Sequence, residues 1–252
     1  MNDEKIKISY CTTCHNRLWQ LALTIKSNLL NLKNNEELIL VNYGSKDGLN
    51  RYIENNDLCR KFISERKLRY IEVLDVDKYD CSRAKNIAHR FANGNMLVNL
   101  DADNFNTKIR KTILGIRNYK KTLIHLWANS SYNGTYGKIC ISKKNFFKLG
   151  GYDESFLPIA YQDTDFIQRA IKLNIPYILK PISAKIIEND IKEKSENTGF
   201  SDWWECFNKN KEMSNSNLAN KNFVANKDKG WGYAKIIMNF KYIREFKKIF
   251  PE

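Results

Sequence analysis

Histidine is scarce in this 252-residue chain, with only His15, His89 and His125 present. None sits at a finger-like spacing from Cys11 and Cys14, and their lone CxxC has no second pair. This argues against a structural zinc site. The remaining cysteines (Cys59, Cys81, Cys140 and Cys206) lack the spacing of a disulfide framework and read as reduced thiols of a cytosolic chain. No apolar run approaches the ~20 residues that span a bilayer. The opening MNDEKIKISY lacks the apolar stretch of a signal peptide. A soluble, intracellular protein is the expectation. No GxGxxG follows the first apolar run, which ranks a nicotinamide-binding protein last. Helix-turn-helix, zinc-finger and RNA-recognition signatures are missing too, so the sequence gives no nucleic-acid reader beyond its charge.

That charge is large: 42 Lys and Arg against 28 Asp and Glu give a net +14. It shows attraction to polyanions without selecting among nucleic acid, anionic lipid and phosphorylated glycan. A hydrophobic content of 42% is ample for a core, and the length suits one sizeable domain with a tail.

The apolar pattern alternates between strand and helix periods. Ile6–Tyr10 reads as a first strand, and Leu18, Leu21, Ile25 and Leu29 fall on one helical face. Glu37–Val41 is a near-continuous apolar strand, of the kind buried on both faces of a parallel sheet. A helix over Leu49–Phe62, a strand over Leu68–Leu74, a helix over Ser82–Ala92 and a strand over Met96–Leu100 follow. This rhythm predicts an α/β fold with a mostly parallel sheet flanked by helices. Ligands of such sheets bind beyond the carboxyl ends of the strands. Three polar segments fall there: Thr12–Arg17, Asn42–Asp47 and Asp101–Asn104. Later, Lys138–Ser142 reads as a strand and Asp163–Leu173 as a helix.

Asp101-Ala102-Asp103, at the end of an apolar strand, offers two hard oxygen ligands suited to Mg²⁺ or Mn²⁺. Such a cation neutralises a departing diphosphate; the plain alternative is a polar strand-to-loop turn. Asp163 and Asp165 open an amphipathic helix, where the helix dipole favours acids whatever their role. The chemical reading makes Asp163 a general base toward an acceptor hydroxyl. Arg83 and Lys85, just before the Asp-Ala-Asp strand, are either diphosphate ligands or solvated helix residues.

Taken in order, TTCHNR (12–17), NYGSKDG (42–48), SRAKN (82–86), DAD (101–103), GGYDE (150–154) and QDTD (162–165) resemble glycosyltransferase family 2. SRAKN and GGYDE…QDTD also look like the β-1,4-galactosyltransferase branch of the GT-A enzymes. The resemblance covers roughly residues 6–175 and implies a GT-A fold with a nucleotide-binding first half and an acceptor-binding second half. It places Thr13, Arg17, Asn42, Arg83, Lys85 and Asp101 against a nucleotide sugar, with Asn42 reading the base. It makes Asp103 the direct metal ligand and Asp163 the catalytic base, with Gln162, Asp165 and Trp127 as acceptor or accessory residues. Departures are visible: Asn42-Tyr43 replaces an Asp pair, Gln162 replaces a Glu, and no late His completes the metal shell. Glu188, Asn189 and Asp190 are the late residues that would substitute.

The resulting expectation is an inverting, Mn²⁺- or Mg²⁺-dependent hexosyltransferase using a UDP-sugar, with galactose or N-acetylgalactosamine suggested by the branch likeness. Its acceptor would be a saccharide or lipid-linked saccharide, in surface glycan, lipopolysaccharide or capsule synthesis. The expected organisation is a catalytic domain over 1–188, with halves at about 1–104 and 105–188, and a helical extension over 189–252. Residues 231–250 mix Trp231, Tyr233 and Phe240 with Lys235, Lys241 and Arg244; they either pack on the domain or rest on an anionic membrane. A non-catalytic sugar-nucleotide- or glycan-binding relative, and a basic nucleic-acid-binding protein, are the competing classes.

Overall fold

Strand β2 (Glu36–Tyr43) is buried along its whole length, and its side chains divide between two cores. Leu38 and Leu40 join one apolar cluster, while Ile39 and Val41 join the other. A period of two on a strand covered on both faces produces that division. The first cluster is closed by α1 (Leu18–Leu30), α2 (Leu49–Asn55) and α3 (Asp57–Ser64). The second is closed by α4 (Cys81–Phe91), α6 (Lys143–Lys148) and α7 (Gln162–Lys172). This computed structural model describes residues 6–74, 76–128, 134–182, 187, 190–200, 202–227 and 229–243.

Around β2 lie β1 (Ile8–Cys14), β3 (Leu68–Val73) and β4 (Met96–Asn99), all parallel in the order β4-β1-β2-β3. Helix α5 (Ile109–Leu114) leads toward β5 (Leu123–His125), β6 (Ile139–Ser142) and β7 (Tyr177–Leu179), which extend the sheet beyond β4. The C-terminal segment contributes α8 (Ile191–Glu196) and α9 (Trp203–Ala219), then β8 (Ile236–Met238) and β9 (Lys241–Ile243) beyond β3. Among the described residues the sheet has nine strands, of which only β6 and β8 oppose the common direction. The expected mostly parallel α/β fold is what forms.

Several boundaries differ from the sequence reading for identifiable reasons. β1 runs on through Thr12 and Thr13 to Cys14, because β2 stays paired with it as far as Asn42. The helix expected over Leu49–Phe62 breaks at Asn56, whose side chain accepts from Cys59 N and starts α3 as an N-cap. The extension is helical, as expected, but it also supplies a hairpin. Asn239 and Phe240 have φ of +49° and +63°, the two left-handed positions that a two-residue hairpin turn requires. β8 pairs with β3, so the sheet crosses the expected boundary at residue 188. Trp231 packs on Phe146 and Phe147, and the Arg90 guanidinium lies over both Trp231 (4.8 Å) and Tyr233 (4.7 Å). The described part of the 231–250 stretch thus packs on the domain; Arg244 and the residues after it lie outside the described ones. Among the described residues no helix is long and apolar enough to cross a membrane.

Buried His89 joins the two halves of the second core. Its ring stacks on Phe146 at 4.7 Å, and its Nδ1 donates to the Lys85 carbonyl at 2.7 Å. Burial is the main cause that lowers its pKa from 6.5 to about 4. The folded value lies below the unfolded one, so the stabilisation is complete above pH 6.5 and disappears as pH falls toward 4. The loss amounts to about 3 kcal/mol at 1.36 kcal/mol per pK unit. Urea midpoints should therefore drop more steeply between pH 6.5 and 4 in the wild type than in His89→Phe. Parallel slopes would refute this.

Candidate active site

The Asp101–Asp103 loop follows β4, and α1 holds it from behind. Thr24 Oγ1 donates to the Ala102 carbonyl at 2.6 Å, and Asn28 Nδ2 to the Asn104 carbonyl at 2.9 Å. Two neighbouring amides then fasten its carboxylates to the chain entering β6. Asn99 Nδ2 donates to both Asp101 Oδ1 (3.1 Å) and the Gly137 carbonyl (2.8 Å). Asn104 Nδ2 donates to both Asp103 Oδ1 (2.6 Å) and the Gly134 carbonyl (3.1 Å). The same 134–137 segment therefore sets the position of both acids.

Asp163, in the first turn of α7, faces this loop across Gly137. A Cβ at Gly137 would lie 2.9 Å from Asp101 Oδ2 and 3.1 Å from Asp163 Oδ2, so only glycine leaves both carboxylates in place. Gly137→Ala should keep the fold but push one acid aside. Misplacement on the scale of an ångström costs on the order of 10²-fold in rate. Steady-state turnover of the variant checks this, and near-wild-type rates would refute it.

Lys85 reaches Asp163 from α4, with Nζ 2.7 Å from Oδ1 and 2.9 Å from Oδ2. Burial works to lower the lysine's pKa, but the Asp163 charge, aided by Asp101, outweighs it and raises the value well above normal. Lys85 is thus a fixed cation. Asp101 is shifted upward, first by burial and then by the nearby charges of Asp103 and Asp163, against the pull of Lys85. Lys138, buried behind the loop, is lowered to about 8 by burial despite the charges of Asp101 and Asp103. The Cys81 thiol, on the cavity wall, is pushed up to about 12 by burial and stays protonated.

These groups open onto a cavity of about 950 Å³. Asp101, Asp103 and Asp163 line it together with Thr13, Arg17, Lys85, Gln162, Trp127 and Asp190. The structure thus gathers most of the residues expected at a site. At the β1 end, Thr13 Oγ1 and Tyr79 OH share a hydrogen bond of 2.8 Å, and the His15 ring stacks on Tyr79 at 5.9 Å. His15 Nδ1 donates to the Tyr43 carbonyl (2.5 Å), and its Nε2 accepts from Asn16 Nδ2 (3.2 Å), which fixes the tautomer. Burial lowers the His15 pKa, so the ring is held neutral near pH 7.

Three expected site residues are committed elsewhere. Asn42 does not line the cavity: its amide donates to Asn50 and Tyr70 OH, and its carbonyl accepts from Ser45 N. It holds the 43–48 turn and has no hydrogen left to read a base. Arg83 does not line the cavity either and donates to the Tyr233 carbonyl through Nε (3.2 Å) and Nη2 (2.9 Å). Asp165 is buried in an ion pair with Arg169 at 2.7 Å and accepts from Ser214 Oγ, so it anchors α7 and α9 and does not meet an acceptor. Lys85, expected on the diphosphate, meets Asp163.

Gln162 remains on the wall, with Nε2 donating to the Leu157 carbonyl at 2.9 Å. Trp127 stacks on His125 at 5.9 Å. Near the late candidates, Ile187 N donates to the Asp103 carbonyl at 3.3 Å, which brings the chain beside the Asp-Ala-Asp loop. Asp190 caps α8 by accepting from Lys192 N; Glu188 and Asn189 lie outside the described residues. Among the described residues no group of three His, Cys, Asp or Glu is arranged to hold a metal. Two carboxylates nevertheless suit a cation such as Mg²⁺, which binds through one or two acids plus substrate phosphate oxygens and keeps its waters. The burial that raises Asp101, with the charges of Asp103 and Asp163 adding to it, is a cost that a bound cation would offset.

SRAKN and GGYDE, far apart in the chain, meet through Asn86. Its amide donates to the Tyr152 carbonyl and to Glu154, and its carbonyl accepts from Tyr152 N. Gly151, at φ +70°, lets Asn86 and Trp231 approach where a Cβ would sit 2.5 Å and 2.6 Å from them.

The mostly parallel sheet thus carries paired acids beyond β4, and they face a third acid across one cavity. Residues 9–153 match the family described as Glycosyl transferase family 2, and residues 109–247 match Glycosyltransferase like family 2. The chain belongs to glycosyltransferase family 2. Comparison with curated proteins gives no sequence match. Similar solved structures include a Pyrobaculum calidifontis mannosyltransferase in complex with GDP-Man and Mn²⁺ (12% identity, TM-score 0.58, 71% of this chain and 56% of that one). Residues 1–349 of S. aureus TarS in complex with UDP are similar too (12% identity, TM-score 0.58, 76% of this chain and 63% of that one). A third is the catalytic domain of Drosophila beta1,4galactosyltransferase 7 with xylobiose (14% identity, TM-score 0.55, 83% and 79%). The chain therefore spans 56% and 63% of the first two. At these identities the likeness is one of fold.

Proposed function

We propose that the protein is an inverting, metal-dependent hexosyltransferase that moves a sugar from a UDP-sugar to a saccharide or lipid-linked saccharide in surface-glycan synthesis. Galactose or N-acetylgalactosamine is the proposed sugar, on the strength of the β-1,4-galactosyltransferase likeness. The proposed setting is the cytoplasm. The observation that carries the reading is that Asp101, Asp103 and Asp163 line one cavity.

Asp163 accepts the proton as the acceptor oxygen forms its bond to the anomeric carbon, and the bond from that carbon to the diphosphate breaks on the opposite face. Its two bonds to Lys85 hold the carboxylate in position and compensate its charge before the proton arrives. Asp103 and Asp101 would hold Mn²⁺ or Mg²⁺, which when bound supplies positive charge to the departing diphosphate. Of the two cations lining the cavity among the described residues, Lys85 is engaged by Asp163, which leaves Arg17 to face the phosphates. Thr13, His15 and Tyr79 would frame the nucleoside, a task that Asn42 was expected to share.

A panel of nucleotide sugars, screened for Mn²⁺-dependent hydrolysis and thermal stabilisation, tests this. Release of UDP from one donor, stopped by chelation, is the expected result. Hydrolysis of none, with no stabilisation, would refute the reading.

A further inference from the structure

Helix α9 carries large aromatic residues where a surface helix would present polar ones. Trp203 and Phe207, four residues apart, stack at 5.2 Å and 24°. Trp204 stands at 90° to Trp203, with centroids 4.9 Å apart, and remains 59% exposed. Tyr161, just before α7, meets Phe207 edge-on at 5.3 Å. All four side chains line the cavity that contains Asp103 and Asp163.

The cluster is fixed relative to Asp163. Buried Asn210 on α9 accepts from Leu157 N at 2.7 Å, and its Nδ2 donates toward the carbonyls of Leu157, Ile159 and Ala160 at 2.8–3.1 Å. Ser214 adds a bond to Asp165, two residues beyond Asp163. The loop held in this way contains two consecutive strained residues, Ala160 and Tyr161, with φ of +73° and +70°. Left-handed backbone at two non-glycine positions persists only where the surroundings enforce it, and such strain concentrates at ligand sites. Here Asn210 enforces it, and Tyr161 comes to the cavity wall as a result.

We propose that Trp203, Trp204, Phe207 and Tyr161 form an acceptor subsite that takes the apolar C–H face of a pyranose ring. This rests on the glycosyltransfer reading above and names the chemistry of its acceptor. A pyranose with equatorial hydroxyls has a flat C–H face that an exposed indole covers, while its hydroxyls point outward to polar groups. Gln162, Thr164 and Asp190 supply such groups around the same cavity. The proposed mechanism sets the nucleoside against the His15–Tyr79 stack, which leaves the aromatic wall on α9 to the other substrate.

Saturation-transfer NMR on the full chain tests the subsite, using cellobiose, lactose and chitobiose with UDP and diamagnetic Mg²⁺ present. At least one disaccharide should receive transfer at its ring C–H protons, and Trp203→Ala and Trp204→Ala should each reduce it at least about five-fold, the size of a lost aromatic contact. Trp204 is exposed enough to be replaced without opening a core cavity, and Trp19→Ala, at an exposed tryptophan on α1, should leave the transfer unchanged. The UDP signal should persist in all variants. No transfer to any disaccharide in a wild type that shows the UDP signal would overturn the proposal. So would transfer that survives both substitutions, or a UDP signal lost with them, since that would put the nucleobase on this wall. A saccharide signal that depends on the tryptophans without any UDP signal would uphold the subsite and overturn the donor reading instead.

Discussion

Asp163→Asn should lower kcat by about 10²–10⁴-fold, the usual contribution of a positioned general base. The substitution keeps the shape of the side chain and one oxygen for Lys85, so the carboxylate's ability to take a proton is the main property removed. UDP affinity in the presence of Mn²⁺ should stay within a few-fold of wild type, because the proposed mechanism sets Asp163 against the acceptor and not the leaving group. Some stability should be lost as well, since Lys85 is buried and its charge compensation weakens. Circular dichroism and a melting curve separate that loss from the loss of chemistry. Near-normal turnover in a folded variant would remove Asp163 from the base role.

Asp103→Ala should abolish the metal dependence of nucleotide binding. Outer-shell partners of a metal alone are worth about 10–100-fold in affinity, so deleting a direct carboxylate should exceed that. Calorimetry of UDP with Mn²⁺, repeated with a chelator, reads the effect: the two titrations should differ in the wild type and coincide in the variant. Asp103 is buried at the cavity and its Oδ1 accepts from Asn104, so a melting curve accompanies the titration to separate loss of fold from loss of metal. Unchanged Mn²⁺-assisted affinity would exclude the role.

Much of the scaffold was legible because its signals are local. The uninterrupted apolar run of β2, the helical spacing of Leu21, Ile25 and Leu29, and the acids following β4 each identify themselves within a few residues. The parallel order then brings the loops after β1 and β4 to one rim. What the sequence concealed are long-range commitments of polar groups. Nothing adjacent to Arg83 announces a carbonyl 150 residues away, and nothing beside Lys85 announces Asp163, 78 residues on. Asn42 carries a signal that motif order overshadowed: an Asn ahead of a glycine-containing turn can cap it, and here its carbonyl accepts from the backbone N–H of Ser45. The glycine between the acids, Gly137, is invisible until the 134–137 segment is seen to pass between two carboxylates. The hairpin at Asn239-Phe240 escaped because Phe stands where glycine usually signals such a turn.

The pairing of β8 with β3 also bears on how this protein can be handled. A fragment ending at residue 188, the domain boundary expected from the sequence, would strip β3 of its neighbour and take the Tyr233 carbonyl from Arg83 and the Trp231 face from Arg90. The bare backbone of β3 would then offer a template for strand addition between molecules, so trimming to the recognisable motifs should yield aggregates in place of a minimal enzyme.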